Sequence, residues 1–170
     1  MLNKAELNTA IKEQKLIEGY INLDKQLTPN GIDLTVGKLF KFCSLGSLDF
    51  SNSDRQLPQM EEVFPQKENP RDKFGWWQLS RGAYKVRTNE VINMPNNLCG
   101  LAFSRTSLLR MGAFTQNGVW DAGFSGKSEF ILVVQNSFGI RLKENARVVQ
   151  LVFFKVDETE GYNGIYNHIK

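Results

Sequence analysis

Residues 82–104, GAYKVRTNEVINMPNNLCGLAFS, contain the pattern that decides the fold. Two runs rich in β-branched, apolar and aromatic residues, Ala83–Thr88 and Leu98–Phe103, lie on either side of the turn signal Met94-Pro95-Asn96-Asn97. Short β-rich runs separated by Pro, Asn and Gly are typical of sandwiches and barrels, because a crossover between parallel strands needs a much longer connection. The stretch therefore predicts neighbouring strands of an all-β domain.

The same pattern continues on both sides of this stretch. It predicts strands over Ile32–Phe42, Trp76–Leu79, Phe114–Val119, Phe130–Val134 and Arg147–Val156. Near the N-terminus, Lys4–Lys15 combines apolar residues at helical spacing with good helix formers and predicts a short helix. We expect one mainly β domain over residues 1–170, a distorted β-barrel or jelly-roll-like fold with a short N-terminal helix.

Two segments depart from the strand pattern. Residues 44–75 are rich in Ser, Asn, Asp, Pro, Lys and Glu with isolated Phe and Leu, which indicates a long irregular insertion with a short hairpin. Loops of that length are usually functional or mobile. Residues 158–170 are polar with Gly and Tyr, and we expect a mobile C-terminal tail.

Composition narrows the chemistry. The net charge of +3 without a polybasic run gives no reason to expect a nucleic acid polymer as partner, but it suits a small polyanion. With two separated cysteines, Cys43 and Cys99, and His168 as the single histidine, one chain cannot assemble the usual zinc site. No apolar run has the length of a membrane span or a signal peptide, so we expect a cytoplasmic protein with carboxylate, Arg, Lys and hydroxyl chemistry.

Two polar stretches suit a metal and an anion. Asp33, at the mouth of a strand in Gly31-Ile32-Asp33-Leu34, is a candidate magnesium ligand, directly or through water, or a turn residue. In SRTSLLRMG, residues 104–112, Arg105 and the hydroxyls of Thr106 and Ser107 suit phosphate oxygens at the start of a helical turn. The alternative is an ordinary helix N-cap with an exposed arginine.

Two further stretches suit a nucleotide. In NGVWDAGFSG, residues 117–126, Asp121 ends a hairpin-like turn near Phe124. Asp121 suits a base that orients water, and the ring of Phe124 suits stacking on a sugar. The alternative is a tight turn in which Asp121 serves the turn geometry and Phe124 belongs to the core. In ENARVVQLVF, residues 144–153, Gln150 interrupts an apolar strand. A buried amide must be satisfied, so it either bonds a neighbouring backbone group or faces a ligand.

In this order and spacing, the stretches resemble the motifs of the trimeric dUTPase and dCTP deaminase superfamily over nearly the whole chain. The matching segments are the N-terminal helix, GIDLTVG, GAYKVRTNEVINMP, SRTSLLRMG, GVWDAGFSG and ARVVQLVF. The resemblance implies a homotrimer with sites at subunit interfaces that binds dUTP and Mg²⁺ and produces dUMP and pyrophosphate.

The resemblance also implies a role for each site residue. Asp121 would orient and deprotonate the attacking water, and Asp33 would hold the magnesium ion through water. Phe124 would pack on the deoxyribose, while the backbone of Gln116–Trp120 would read uracil, with Gly118 allowing close approach. The remaining substrate contacts would come from Arg105, Thr106, Ser107, Gln150 and, in the tail, Tyr162.

Deamination of dCTP, alone or combined with hydrolysis, is the alternative activity within the superfamily. Its catalytic glutamate falls, by counting from Gly126, at Ile131, which has no carboxylate; Glu129 would serve only after a shift of two residues. Gln150 resembles dUTPases and the enzymes that combine both activities, and simple deaminases tend to lack it. A weakly catalytic nucleotide sensor, using residues 44–75 to bind a partner, is the alternative outside enzymes.

The sequence departs from the family pattern at two places. Thr106 stands where the family usually has Ser, which keeps the hydroxyl. The tail GYNGIYNHIK, residues 161–170, lacks the Arg and the Gly-rich Phe motif that trimeric dUTPases fold over the substrate. It looks more like the Tyr-containing tail of the deaminase-like branch.

Overall fold

The computed structural model describes residues 1–168, and the fold is mainly β, as the sequence predicts. The helices are α1 (Lys4–Gln14), α2 (Leu23–Gln26) and α3 (Thr106–Arg110). The strands are β1 (Ile17–Glu18), β2 (Leu27–Thr28), β3 (Gly31–Phe42), β4 (Met60–Val63), β5 (Trp76–Leu79), β6 (Gly82–Asn93), β7 (Leu98–Ser104), β8 (Ala113–Gln116), β9 (Ser125–Val134), β10 (Ile140–Lys143) and β11 (Arg147–Lys155). A nine-stranded antiparallel sheet has the order β7-β11-β3-β6-β9-β8, with β1 added to β6 and with β2 and β4 added to β3. A separate pair, β10-β5, completes the barrel-like domain.

Strand alternation explains how the core forms. In β9, residues Ser128, Phe130 and Leu132 are buried, whereas the residues between them are partly exposed. Because successive side chains point to opposite faces of a strand, Lys127, Glu129 and Ile131 share the other face. The central strand β3 is buried over its first six residues, where β11 pairs with Ile32 to Thr35 and β2 pairs with Gly31 and Ile32.

The N-terminal helix is capped as its sequence dictates. Asn3 accepts hydrogen bonds from the backbone of Ala5 and Glu6, and the Glu6 side chain accepts one in return from the Asn3 N–H. This capping box satisfies otherwise orphaned donors at the helix start. The helix ends at Lys15 with a left-handed φ of 54°, within one residue of the expected boundary.

The insertion over residues 44–75 contains the short hairpin that its composition indicates. Backbone hydrogen bonds join Ser47 and Gln56, and β4 then pairs with β3. Leu45, Leu48 and Phe50 on this hairpin are exposed.

The sequence did not predict the short strands β1, β2 and β10 or the single-turn helix α2, because segments of two to four residues carry no periodic signal.

One predicted strand is shorter than its sequence indicates. The expected run Phe114–Val119 ends at Gln116, because the side chain of Asn117 turns back to donate to the Ala102 carbonyl at 3.2 Å. The chain then forms a loop over residues 117–124 before β9 begins at Ser125. In residues 1–168, none of the helices has the length and apolar character to cross a membrane.

Candidate active site

The loop between β8 and β9 forms one wall of a pocket that we call the loop pocket. Gly118, Trp120, Asp121 and Phe124 line it from the loop. The opposite wall comes from Lys127, Ser128 and Glu129 on β9 and from Tyr162 and Tyr166 in the tail. Carboxylates, an amine and aromatic rings therefore meet in one cavity.

Backbone geometry fixes how this loop presents its side chains. Gly123 has a φ of +79°, which favours glycine, and its N–H donates to the Met94 carbonyl at 3.1 Å. The Phe124 N–H donates to the Asp121 carbonyl at 3.2 Å and closes the turn. Trp120 is anchored by its indole N–H, which donates to the Ser128 hydroxyl at 2.7 Å. Asp121 is exposed, and among residues 1–168 its carboxylate has no hydrogen-bond or ion-pair partner.

The tail packs directly on this loop. The Tyr162 N–H donates to the Ala122 carbonyl at 2.7 Å, and the Tyr162 ring meets Phe124 edge-on at 5.9 Å between centroids. Farther along, the Ser125 N–H donates to the Asn167 side chain at 2.7 Å. Residues 158–168 of the tail that the sequence predicts form no strand, and they lie against the loop pocket. Residues 169–170 lie outside the described residues.

Glu129 is held in the loop pocket by two cations from β6. Lys85 Nζ lies 2.9 Å and Arg87 Nη2 2.7 Å from the same atom, Oε1 of Glu129. Both cations also lie over the ring of Phe40, at 4.8 and 5.5 Å from its centroid. The other oxygen, Oε2, accepts no hydrogen bond from the described part of the chain.

A second pocket lies where β7 ends, and we call it the arginine pocket. Asp33, Ser104, Arg105, Thr106, Ser107, Gln150 and Thr28 line it. Arg105 is the N-cap residue of α3, but no side chain caps this helix. The hydroxyls of Thr106 and Ser107 are therefore not used as helix caps and remain able to bind a ligand.

Asp33 is the buried counter-ion of this pocket. Its Oδ2 lies 2.8 Å from Arg105 Nε and 3.3 Å from Arg147 Nη1, and the side chain is 3% exposed. Burial raises the pKa of Asp33, while Arg105 and Arg147 oppose that rise. The carboxylate thus orients Arg105, and only Oδ1 lacks a hydrogen-bond partner among residues 1–168.

Gln150 reaches the arginine pocket from the middle of β11. Its Nε2 donates to the hydroxyl of Thr28 at 2.8 Å, so the amide bonds a neighbouring side chain and also faces the cavity.

Gln116 differs in position from the other predicted site residues. It is exposed at the end of β8 and lines neither pocket, so its contact with a substrate stays a prediction.

The two pockets are separate on one chain. Gly100 pairs with Trp120 beside the loop pocket, whereas Ser104 lines the arginine pocket at the other end of β7. Gly100 and Ser104 are four residues apart along an extended strand, a distance of about 13 Å. Among the described residues, none lines both cavities.

Sequence reasoning missed several residues that line or support these pockets. Lys127, Tyr166 and Thr28 line them, and Arg147 pairs with Asp33. Arg147 stands in the ARVVQLVF segment, where its place three residues before Gln150 was a usable signal. The other contacts depend on strands and a tail that come together only in the folded chain.

A metal held entirely by protein does not fit either pocket. The structure, over residues 1–168, contains no group of three or more His, Cys, Asp or Glu residues able to hold a metal ion. The small number of carboxylates does fit Mg²⁺ that is bound to a polyphosphate ligand. This ion keeps several water ligands and needs one or two protein carboxylates in addition to the phosphate oxygens. On that pattern, Asp33 in the arginine pocket and Asp121 in the loop pocket are the candidate carboxylates.

Comparison with known proteins agrees with this geometry. Residues 1–156 match the family described as dCTP deaminase-like. A probable deoxyuridine 5'-triphosphate nucleotidohydrolase of Archaeoglobus fulgidus is 40% identical over 167 residues, covering 98% of this chain and 95% of that protein. The deoxyuridine 5'-triphosphate nucleotidohydrolase of Methanocaldococcus jannaschii is 39% identical over 144 residues, with 84% and 88% covered.

A solved structure shows the same fold. The crystal structure of 2'-deoxycytidine 5'-triphosphate deaminase from Agrobacterium tumefaciens matches with a TM-score of 0.65 at 17% identity. The match covers 92% of this chain and 48% of that one, so the chain spans about half the length of that deaminase. With the family match over nearly the full length, these similarities show that the chain belongs to the dCTP deaminase-like family.

Proposed function

We propose that this protein hydrolyses dUTP to dUMP and pyrophosphate. The observation that carries the proposal is the loop pocket, which places the exposed carboxylate of Asp121 and the ring of Phe124 in one cavity. The arginine pocket supplies the guanidinium, hydroxyl and amide groups that bind phosphate oxygens. Relatives named for this reaction, at about 40% identity over most of the chain, support the same activity.

The proposed mechanism assigns one task to each group. Asp121 orients a water molecule and accepts its proton as the water attacks the α-phosphorus in line. The bond between the α-phosphorus and the bridging oxygen breaks, and pyrophosphate leaves. Phe124 packs on the deoxyribose and leaves no room for a 2'-hydroxyl, and Tyr162 covers the same pocket. Uracil is read by the backbone of the loop, where even a Cβ added to Gly118 would meet no atom within 4 Å.

Arg105, Thr106, Ser107 and Gln150 hold the phosphate oxygens in this proposal. The ion pair with Asp33 keeps the Arg105 guanidinium in place and leaves Oδ1 of Asp33 able to hold Mg²⁺ through water. When bound, Mg²⁺ would offset the charge of the triphosphate and of the pyrophosphate leaving group.

The separation of the two pockets supports a homotrimer. One substrate must reach the groups of both pockets, and a second copy can bring its own loop pocket to the arginine pocket of the first. Such a head-to-tail contact forms a closed ring when the rotation between copies returns to its start, and in this proposal three copies close the ring. Phe103 and Leu101 on β7 are 61% and 38% exposed beside the arginine pocket, and they give the ring an apolar contact surface.

Product analysis tests the proposed function. The protein is incubated with dUTP or with dCTP, with Mg²⁺ and with a chelator. We expect pyrophosphate and dUMP from dUTP with Mg²⁺, little turnover with the chelator, and no ammonia from dCTP. Stoichiometric ammonia from dCTP would instead show a deaminase, and tight dUTP binding without products would show a nucleotide sensor.

The deaminase alternative lacks its acid–base group in this structure. Ile131 carries no carboxylate, and Glu129 on the same face of β9 is engaged by Lys85 and Arg87 through Oε1.

A further inference from the structure

Glu129 and Lys127 are the two charged groups that line the loop pocket and that the proposed mechanism leaves without a task. Both line the pocket, and both lie on the same face of β9. Residues two apart on one face of a strand have their Cβ atoms about 7 Å apart. Their tips are therefore able to contact neighbouring atoms of one small ligand.

The two side chains have fixed and opposite hydrogen-bonding character. The carboxylate of Glu129 offers acceptor oxygens: its Oε1 pairs with Lys85 and Arg87, and its Oε2 has no partner among residues 1–168. Lys127 is a donor only, and its amine makes no hydrogen bond or ion pair within the described chain. The pocket thus offers one acceptor next to one donor.

We infer that Glu129 and Lys127 act beside the loop backbone that contacts uracil, and that these two side chains determine the choice of pyrimidine by reading the N3 and O4 edge of the base. This inference rests on the proposed function of the loop pocket. Uracil presents a donor at N3–H beside an acceptor at O4, which complements an acceptor and a donor. Cytosine presents an acceptor at N3 beside a donor at its 4-amino group, so with the sugar fixed each group would face its own kind. Unmatched polar groups in a closed pocket are costly, which makes such a pair selective.

Two substitutions test the inference separately. Glu129→Gln keeps the shape of the side chain but adds a donor, and Lys127→Met keeps its length but removes the donor. For each variant, the ratio of the dissociation constants of dCTP and of a non-hydrolysable dUTP analogue is measured by calorimetry, together with a thermal melt. We expect each ratio to fall by about ten- to a hundredfold, the range for a hydrogen bond to a charged group.

Thymine provides the internal control, because dTTP presents the same N3–H and O4 edge as dUTP. The ratio of dTTP to dUTP-analogue affinity should therefore stay at its wild-type value in both variants. A dCTP ratio that stays unchanged in either variant overturns the inference, and so does a dTTP ratio that moves in parallel with it. Wild-type protein that binds neither nucleotide would refute the proposed function itself, before any variant is compared.

Discussion

At the residue scale, the carboxylates of Asp121 and Asp33 differ in how many hydrogen-bond and ion-pair partners they have. Asp121 stands exposed in the loop pocket and without a partner among residues 1–168, whereas Asp33 is buried between two arginines. Two aspartates that look alike in sequence therefore have different surroundings, and the proposed function gives them different tasks. The first can approach a substrate, and the second holds a guanidinium in place.

Replacing Asp121 by Asn tests its role as the base. The substitution keeps the shape and removes the charge, so turnover of dUTP should fall by about two to four orders of magnitude. Binding of a non-hydrolysable dUTP analogue should stay equal or become tighter, because a carboxylate repels a polyphosphate. Calorimetry, steady-state rates and a thermal melt measure the three quantities. If binding, turnover and melting temperature decline together, Asp121 is a structural turn residue.

A buried carboxylate in the sheet gives a prediction about pH. Glu90 is fully buried and accepts hydrogen bonds from Gln26 and from the backbone and hydroxyl of Thr35. Burial raises the pKa of Glu90 above its ordinary value of 4.5, and these hydrogen bonds oppose the rise. The unfolded chain thus releases the proton at a lower pH than the folded protein does. Glu90 therefore makes the free energy of unfolding fall as the pH rises from about 4.5 through the folded-state pKa.

Glu90→Gln isolates this contribution. The variant loses the acceptor for the Thr35 N–H, which should cost about 1–3 kcal/mol at low pH. Because the amide does not titrate, the loss should shrink as the pH rises. Urea denaturation of both proteins across this pH range measures the difference, and a difference that does not vary with pH would contradict the assignment.

At the element scale, the close contact between the tail and the loop over residues 117–124 depends on the absence of a side chain at Gly123. A Cβ on Gly123 would lie 2.5 Å from the Gly161 Cα and 2.8 Å from the Tyr162 nitrogen. Because Gly123 also has a positive φ, any side chain there would strain the turn and push the tail away. The tail thus adds Tyr162 and Tyr166 to the pocket only while residue 123 is glycine.

Gly123→Ala should release the tail. We expect a protease to cleave residues 157–168 several times faster than in the wild type, and the Michaelis constant for dUTP to rise. Gly118→Ala is the matched control for cleavage, because a Cβ at Gly118 has no atom within 4 Å. Mass spectrometry measures the cleavage rate of each protein. Equal rates in the wild type and in Gly123→Ala would show that the contact with Gly161 does not hold the tail.

At the scale of the whole molecule, one chain carries two pockets that do not meet, and the proposed function treats them as two halves of one site. The loop pocket and the arginine pocket lie toward opposite ends of β7, and exposed apolar side chains lie between them on this edge strand. Burial of those side chains against another copy removes apolar area from water and joins complementary pockets. Assembly and activity should therefore depend on the same surface.

Phe103→Asp tests this coupling. Phe103 is 61% exposed and lies opposite Gln150 across β7 and β11, so the charge should prevent assembly while the monomer still folds. Light scattering should report a monomer with a near-wild-type melting temperature and with dUTP turnover reduced at least a hundredfold. Phe138→Asp serves as control, because Phe138 is 98% exposed in the turn before β10. An active Phe103→Asp monomer would refute the shared site.

The sequence by itself determined the class of fold, the N-terminal helix and the main strands, because these depend on local periodicity and on turn and cap residues. It also singled out residues that line the pockets, including Asp121, Phe124, Arg105 and Gln150, since they stand in recognisable motifs. Only the tertiary structure decided that Asp33 pairs with Arg105 and Arg147, and that Glu129 is held by Lys85 and Arg87. Those contacts join residues more than 40 positions apart, where sequence spacing carries no information about distance. Strand register and burial set them, and these arise only when the whole sheet has closed.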